Sequence, residues 1–279
     1  MSIVTFYNSS IEQTGKTMSI AAISTYMAIE HNYRILVIST TNREDTLKGC
    51  FWEQKKKKRN LGIFGPNAAL EVENGVEGLA RMIRSNKISP DIITNYTKVV
   101  FKDRFEILLG CEVPPSDGTI VEKFYPNIIK SANQYYDLVF VDLDENVDEE
   151  TRKTIIHDSD IVVINMSQRL RSINKFLELK SKNQILASQK SLILIGRYDK
   201  YSKYNSKNIS RYLGEKNQVL TIPYNTLFFE ATEEAGVPDL FLKFRRNLDP
   251  EDRNAFFIEE IKRASENIMY RLQDLQMKI

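Results

Sequence analysis

Lys16 and Thr17 are the first residues whose types and spacing suggest chemistry. They close the run Ser9-Ser10-Ile11-Glu12-Gln13-Thr14-Gly15-Lys16-Thr17, which follows an apolar stretch, Ile3-Val4-Thr5-Phe6-Tyr7, and precedes a helical pattern from Met18 to Ile29. A turn between strand and helix that ends in Gly-Lys-Thr is the context of a phosphate-binding loop. Successive backbone N–H groups and the helix N-terminus form a cradle for an anion. Lys16 can reach the outer phosphates of a nucleotide, and the Thr17 hydroxyl can sit on Mg²⁺. The loop departs from the full G-x-x-x-x-G-K-[ST] pattern. Ser10 stands at the first glycine, and Glu12 brings a negative charge close to the intended phosphates. These residues predict nucleotide binding without assured turnover.

Asp142 is the second candidate. The run Tyr136-Asp137-Leu138-Val139-Phe140-Val141-Asp142 puts its carboxylate at the carboxyl end of an apolar strand. In open α/β sheets that edge is where ligands bind. A carboxylate there can hold Mg²⁺, or one of its waters, beside Thr17. Asp144 reads as a solvated loop acid in the company of Glu145, Asp148, Glu149 and Glu150.

The elements that must carry these residues are legible as alternating patterns. Strands are predicted at Val4–Tyr7, Arg34–Ile38, Phe105–Gly110, Leu138–Asp142, Ile161–Asn165, Leu192–Gly196 and Val219–Pro223. Helices are predicted over Thr17–His31, Val76–Ser85, Pro90–Tyr96, Ile120–Ala132 and Ser172–Lys180. The strands are short, nearly all apolar and rich in β-branched residues, as strands buried on both faces are. The expected fold class is α/β, a doubly wound, mostly parallel sheet flanked by helices.

One domain is expected over residues 1–248, with an irregular elaboration at about 46–102. From 249 to 279 the chain reads as a helix with an apolar stripe, Phe257, Ile261, Ala264, Ile268, Leu272, Leu275 and Ile279. The stripe suits either docking on the domain or an oligomer or partner contact. No internal repeat or long linker is present.

Among 279 residues, 39 are basic and 37 acidic, a net charge of +2 that gives no global field for nucleic acid. Local patches remain, chiefly Lys55, Lys56, Lys57, Lys58 and Arg59 between Trp52 and Phe64, which could hold DNA phosphates or could be a solvated loop. Two cysteines and two histidines fit neither a disulfide framework nor a His-rich metal site. No apolar run is long enough to span a membrane. Without the pattern of a signal peptide, a cytoplasmic protein is expected, with any recruitment to pole, membrane or nucleoid made through partners.

In segment order the chain resembles the MinD/ParA family of P-loop ATPases, with some similarity to its TadZ or CpaE pilus-localisation branch. The matching stretches are Gly15-Lys16-Thr17 with its helix, Arg34–Thr41, Arg104–Gly110, Tyr136–Asp142, Ser159–Met166 and Thr221–Pro238. In the last, Ile222-Pro223-Tyr224-Asn225, Phe229-Glu230-Ala231 and Ala235-Gly236-Val237-Pro238 resemble a family segment that lies near the nucleotide base. The resemblance implies ATP held by Gln13, Thr14, Gly15, Lys16, Thr17, Met18 and Asn225. It implies Mg²⁺ on Thr17 and Asp142. It also implies a homodimer with a protein partner in a positioning, pilus or secretion system, or on DNA. The function it implies is a partition or positioning protein whose dimerisation and attachment follow nucleotide. The alternative is a scaffold of the same fold that acts by protein binding without hydrolysis. A metabolic P-loop enzyme of the dethiobiotin-synthetase type is a weaker third reading, because no acceptor site is visible.

The Walker A loop is degenerate against the family pattern. The family's first lysine, which reaches across a dimer to the partner's phosphates, falls on Ile11, and its two glycines fall on Glu12 and Gln13. The acids that follow strand two in the family fall on Ser39-Thr40-Thr41, and its base-contacting asparagine falls on Gly196. Loss of one positioned electrostatic group commonly costs about a hundred- to a thousandfold in rate. The chain is expected to be at most a slow ATPase, with no catalytic residue assigned.

Overall fold

The computed structural model describes residues 1–9, 13–42, 46–53, 75–85, 89–111, 121–182, 184–214, 219–245, 249, 251–252 and 254–277. Ser10, Ile11, Glu12, Asp45, the basic run Lys55 to Arg59 and Arg246 lie outside the described residues.

Eight strands form one sheet. They are β1 (Ser2–Asn8), β2 (Ile35–Ser39), β3 (Lys98–Phe101), β4 (Phe105–Leu108), β5 (Leu138–Asp142), β6 (Ile161–Met166), β7 (Ser191–Tyr198) and β8 (Leu220–Pro223). Their spatial order is β3-β4-β2-β5-β1-β6-β7-β8. Every neighbouring pair is parallel except β3 with β4. This is the doubly wound, mostly parallel α/β sheet expected from the apolar runs. Side-chain alternation sorts each strand between two cores. In β2, Ile35 and Val37 join one core and Leu36 and Ile38 the other. A strand covered on both faces needs apolar residues at every position, which is why these strands read as continuous runs rather than alternations.

One face is covered by α1 (Lys16–Glu30), α2 (Thr46–Phe51), α8 (Thr226–Glu233), α9 (Val237–Phe244) and α10 (Ala255–Gln276). The other is covered by α3 (Val76–Arg84), α4 (Tyr125–Ala132), α5 (Glu149–Asp158), α6 (Leu170–Lys182) and α7 (Ser206–Leu213). Local signals start several of these helices. Asp148 caps α5 by accepting from the Thr151 N–H at 3.0 Å. That bond, with Thr151 as the main cause, holds the Asp148 carboxyl below the ordinary aspartate range. Asn205 caps α7 in the same way. Helix α4 starts at Tyr125 rather than at the expected Ile120, with Pro126 in its first turn, where a missing N–H costs nothing.

Phe257, Ile261, Ala264, Ile268 and Leu272 of α10 are buried in the first core, where the helix lies against α1 and β8. Burial of each large apolar side chain contributes about 1.5–3 kcal/mol, so this stripe is a substantial part of that face. Strand β3 was not expected, because Lys98 and Val99 are exposed and show no apolar run. Phe101 nevertheless packs on the core, and a bulge separates it from Val99. Among the described residues, no helix is long and apolar enough to cross a membrane.

Candidate functional site

β1 is flanked by β5 on one side and β6 on the other, and the chain leaves its carboxyl end for α1. Strand order reverses here, the position at which α/β sheets open a crevice. The registers Phe6↔Asp142 and Ser39↔Asp142 set Asp142 at the carboxyl edge of the sheet, one strand from the loop.

Three of the expected residues meet. Lys16 Nζ lies 2.7 Å from Asp142 Oδ1, and both side chains are only 8 % exposed. Thr17 Oγ1 donates to Asp142 Oδ2 at 2.8 Å. Lys16 Nζ also donates to the Leu143 carbonyl. Buried charges persist when paired and hydrogen-bonded, and this lysine and carboxylate satisfy each other. The donor set also fits Mg²⁺. A hydroxyl and a carboxylate are hard oxygen ligands within reach of one another, and Mg²⁺ is commonly held by one or two carboxylates together with phosphate oxygens. Lys16 would exchange Asp142 for a phosphate when a nucleotide enters.

The loop is tied to its surroundings. Thr14 Oγ1 donates to Asn8 Oδ1 at 2.6 Å, and Asn8 Nδ2 donates to Glu145 Oε1 at 2.9 Å. Ser19 Oγ donates to the Gly15 carbonyl at 2.9 Å in the first turn of α1. Gly15 has φ 77°, a left-handed value that favours glycine. Beneath the loop, Ser9 Oγ and Asn165 Oδ1 are buried without a hydrogen-bond partner among the described residues.

Gly196 stands where the resemblance would put a base-contacting asparagine, and the structure gives a steric reason for glycine. A Cβ there would lie 2.2 Å from the Thr14 carbonyl oxygen. The end of β7 therefore presses on the phosphate loop. Gly196→Ala is expected to displace the loop, lower stability by about 1–3 kcal/mol and weaken nucleotide binding. Urea unfolding and a nucleotide titration check this, and an unchanged unfolding midpoint would show that the loop yields freely.

Arg197, the next residue, has no counterpart in the sequence-based set. Its backbone has φ 51°, an uncommon value for a residue with a side chain. Its Nη1 lies 3.4 Å from Gln13 Oε1 and its Nη2 4.0 Å from Met18 Sδ. With Gly15, Met18, Ser19, Pro223, Tyr224, Asn225 and Phe228 it encloses a space of only about 20 Å³. Gln13, Ser167, Gln168, Arg169, Gly196 and Arg197 line a larger cavity of about 450 Å³. The sequence signal was thin, a single arginine behind a strand-ending glycine.

Asn225 reaches the same neighbourhood, but its amide is engaged. Its Oδ1 accepts from the Phe228 N–H at 2.9 Å, capping α8, and its Nδ2 donates to Asn254 Oδ1 at 2.8 Å. The hydroxyls that stand at the family's acid positions are also in use. Thr40 Oγ1 donates to the Asp142 carbonyl at 3.2 Å and accepts from the Asp144 N–H at 2.8 Å. The carboxylate of Asp144 accepts from the backbone and side chain of Asn146. Arg245 pairs with Glu30 at 3.2 Å. Lys200 lies over the rings of Tyr201 and Phe256, away from the sequence-expected site residues.

Comparison with protein-family models and with characterised proteins by sequence gives no match. Comparison of structures does. A ParA family ATPase from Chlorobium tepidum superposes with TM-score 0.62 at 13% identity, over 86% of this chain and 98% of that one. The septum site-determining protein MinD from Pyrococcus horikoshii, complexed with Mg-ADP, gives 0.62 at 14% identity over 97% and 98%. A plasmid partition protein from Borrelia burgdorferi bound to AMPPNP gives 0.58 at 16% identity over 99% and 98%. The strand order, the loop between β1 and α1 and these superpositions agree: the chain has the P-loop fold of the ParA and MinD ATPases.

Proposed function

We propose that this chain is a nucleotide-binding positioning or partition protein. ATP with Mg²⁺ controls its self-association and its attachment to a protein partner, and hydrolysis is slow or absent. The observation that carries the reading is the meeting of Lys16, Thr17 and Asp142 at the carboxyl end of β1 and β5. Those three residues supply a phosphate cation, a hydroxyl and a carboxylate where the helix N-terminus favours an anion. The fold and the nucleotides bound to the partition protein and MinD neighbours support it. The test is calorimetry with ATP and Mg²⁺, paired with sedimentation with and without nucleotide. Binding accompanied by dimerisation is expected. No binding overturns the reading in favour of a scaffold that acts through protein contacts alone.

Asp142 is assigned to the metal more than to the nucleotide. Asp142→Asn keeps the acceptor for Thr17 and removes the charge. It is expected to abolish the Mg²⁺-dependent part of the ATP affinity. If chelation by EDTA changes affinity equally in the wild type and the variant, the assignment is wrong.

A further inference from the structure

Arg169 and Arg197 both border the 450 Å³ cavity beside the phosphate loop, with Gln13 on the loop side. No carboxylate is among the residues that line it. Both arginines are exposed, and among the described residues neither is ion-paired. The nearest partners of Arg197 are a neutral amide and a thioether. Helices α1 and α6 both begin at this cavity, and neither carries an acid in its first turn. Two guanidinium groups and two helix N-termini therefore converge with no anion to meet them. Lys16, by contrast, is already neutralised by Asp142.

Arg197 is held in place from behind. Gln168 Nε2 donates to the carbonyls of Asp199 and Tyr204, each at 2.9 Å, and Gln168 Oε1 accepts from the Asp199 N–H at 2.7 Å. Those bonds clasp the chain leaving β7 onto the end of β6. They fix the backbone two residues beyond Arg197. Gln168 acts as a positioning residue here, because these bonds engage both ends of its amide.

We propose that Arg169 and Arg197 form a cationic seat, supplied within one chain, for the terminal phosphate of a bound nucleotide. The proposal rests on the nucleotide reading above. In this chain the cross-dimer lysine that the family resemblance would call for is replaced by Ile11, and the two arginines supply the charge from the β6 and β7 ends of the same molecule. A planar guanidinium suits a phosphate through paired N–H donors. The chemistry recognised is the outermost phosphate, so the seat distinguishes a nucleoside triphosphate from a diphosphate.

The test measures ATP and ADP affinity by calorimetry, in Mg²⁺, for the wild type, Arg169→Ala, Arg197→Ala, Arg197→Lys and Lys16→Ala. The wild type is expected to favour ATP over ADP. Each alanine variant at 169 or 197 should lose about tenfold or more in ATP affinity while ADP affinity stays within about twofold, and Arg197→Lys should recover part of the loss. Because both side chains are exposed, thermal unfolding should be unchanged, which separates loss of binding from loss of fold. If Lys16→Ala abolishes binding while the two arginine variants keep the ATP-over-ADP ratio of the wild type, the seat is refuted and the nucleotide reading stands. Equal losses for ATP and ADP would place Arg197 against the base or ribose and would also refute it. No binding of either nucleotide by the wild type overturns both.

Discussion

Lys16→Ala is expected to weaken ATP binding at least tenfold and to destabilise the ligand-free protein at the same time. The first effect follows from removing a charge-assisted contact to phosphate. The second follows from Asp142, which would be left with its charge in a site only 8 % exposed. Removing one partner of a buried ion pair commonly costs about 3–5 kcal/mol. Thr17 still donates to the carboxylate, and the carboxyl can take up a proton, so the lower end of that range applies. Urea unfolding measures the stability and a fluorescent-nucleotide titration the affinity. The double variant Lys16→Ala with Asp142→Asn separates the two effects. It should recover most of the stability, because the stranded charge is gone, and none of the binding. Equal nucleotide affinity in wild type and Lys16→Ala would sink the assignment of the loop.

The second large effect concerns turnover. Steady-state phosphate release by the wild type is expected to be very slow. Phosphoryl transfer depends on positioned charge around the transferring group and on an oriented water. Ile11 offers no cation, and Ser39, Thr40 and Thr41 offer no carboxylate. Thr40 is committed to bridging the Asp142 carbonyl and the Asp144 N–H, so that sector serves as a brace. Asp144 has its own carboxylate occupied by Asn146. Each missing group corresponds to about a hundred- to a thousandfold in rate. Restoring both, as Ile11→Lys with Thr41→Asp, should raise turnover. Wild-type release at about one per second, within the ordinary enzymatic range, and abolished by Lys16→Ala, would show that another residue orients the water.

Much of the fold was readable because a sheet buried on both faces leaves a simple trace. Val37, Phe140, Val163 and Leu194 sit in runs with no polar interruption, and each run became a strand. The strand that escaped, β3, is half solvated, so its composition carries no such trace. At the site, Lys16, Thr17 and Asp142 were legible as residue types at the right ends of elements. What escaped was what depends on approach between distant segments. The reason for glycine at 196 lies in a carbonyl 182 positions earlier in the chain, at Thr14. The place of Arg197 against Gln13 and Met18 depends on the same approach. Asn225 was legible as a polar group near the base, but its commitment to a helix cap and to Asn254 is a tertiary fact.

The two margins of the sheet carry a consequence for how copies of this chain can meet. An open sheet ends in rows of unpaired N–H and C=O groups, which are templates for strand addition and for aggregation. Here one margin is β3, four residues long, reversed in direction, bulged, and bearing the exposed Lys98. The other is β8, also four residues long, ended by Pro223 and lying against α10. Short, bulged, charged or covered strands are poor templates. Fibre-like growth by sheet extension is thus disfavoured at both ends, and the chain can be concentrated at one place in a cell without its sheet becoming the point of attachment.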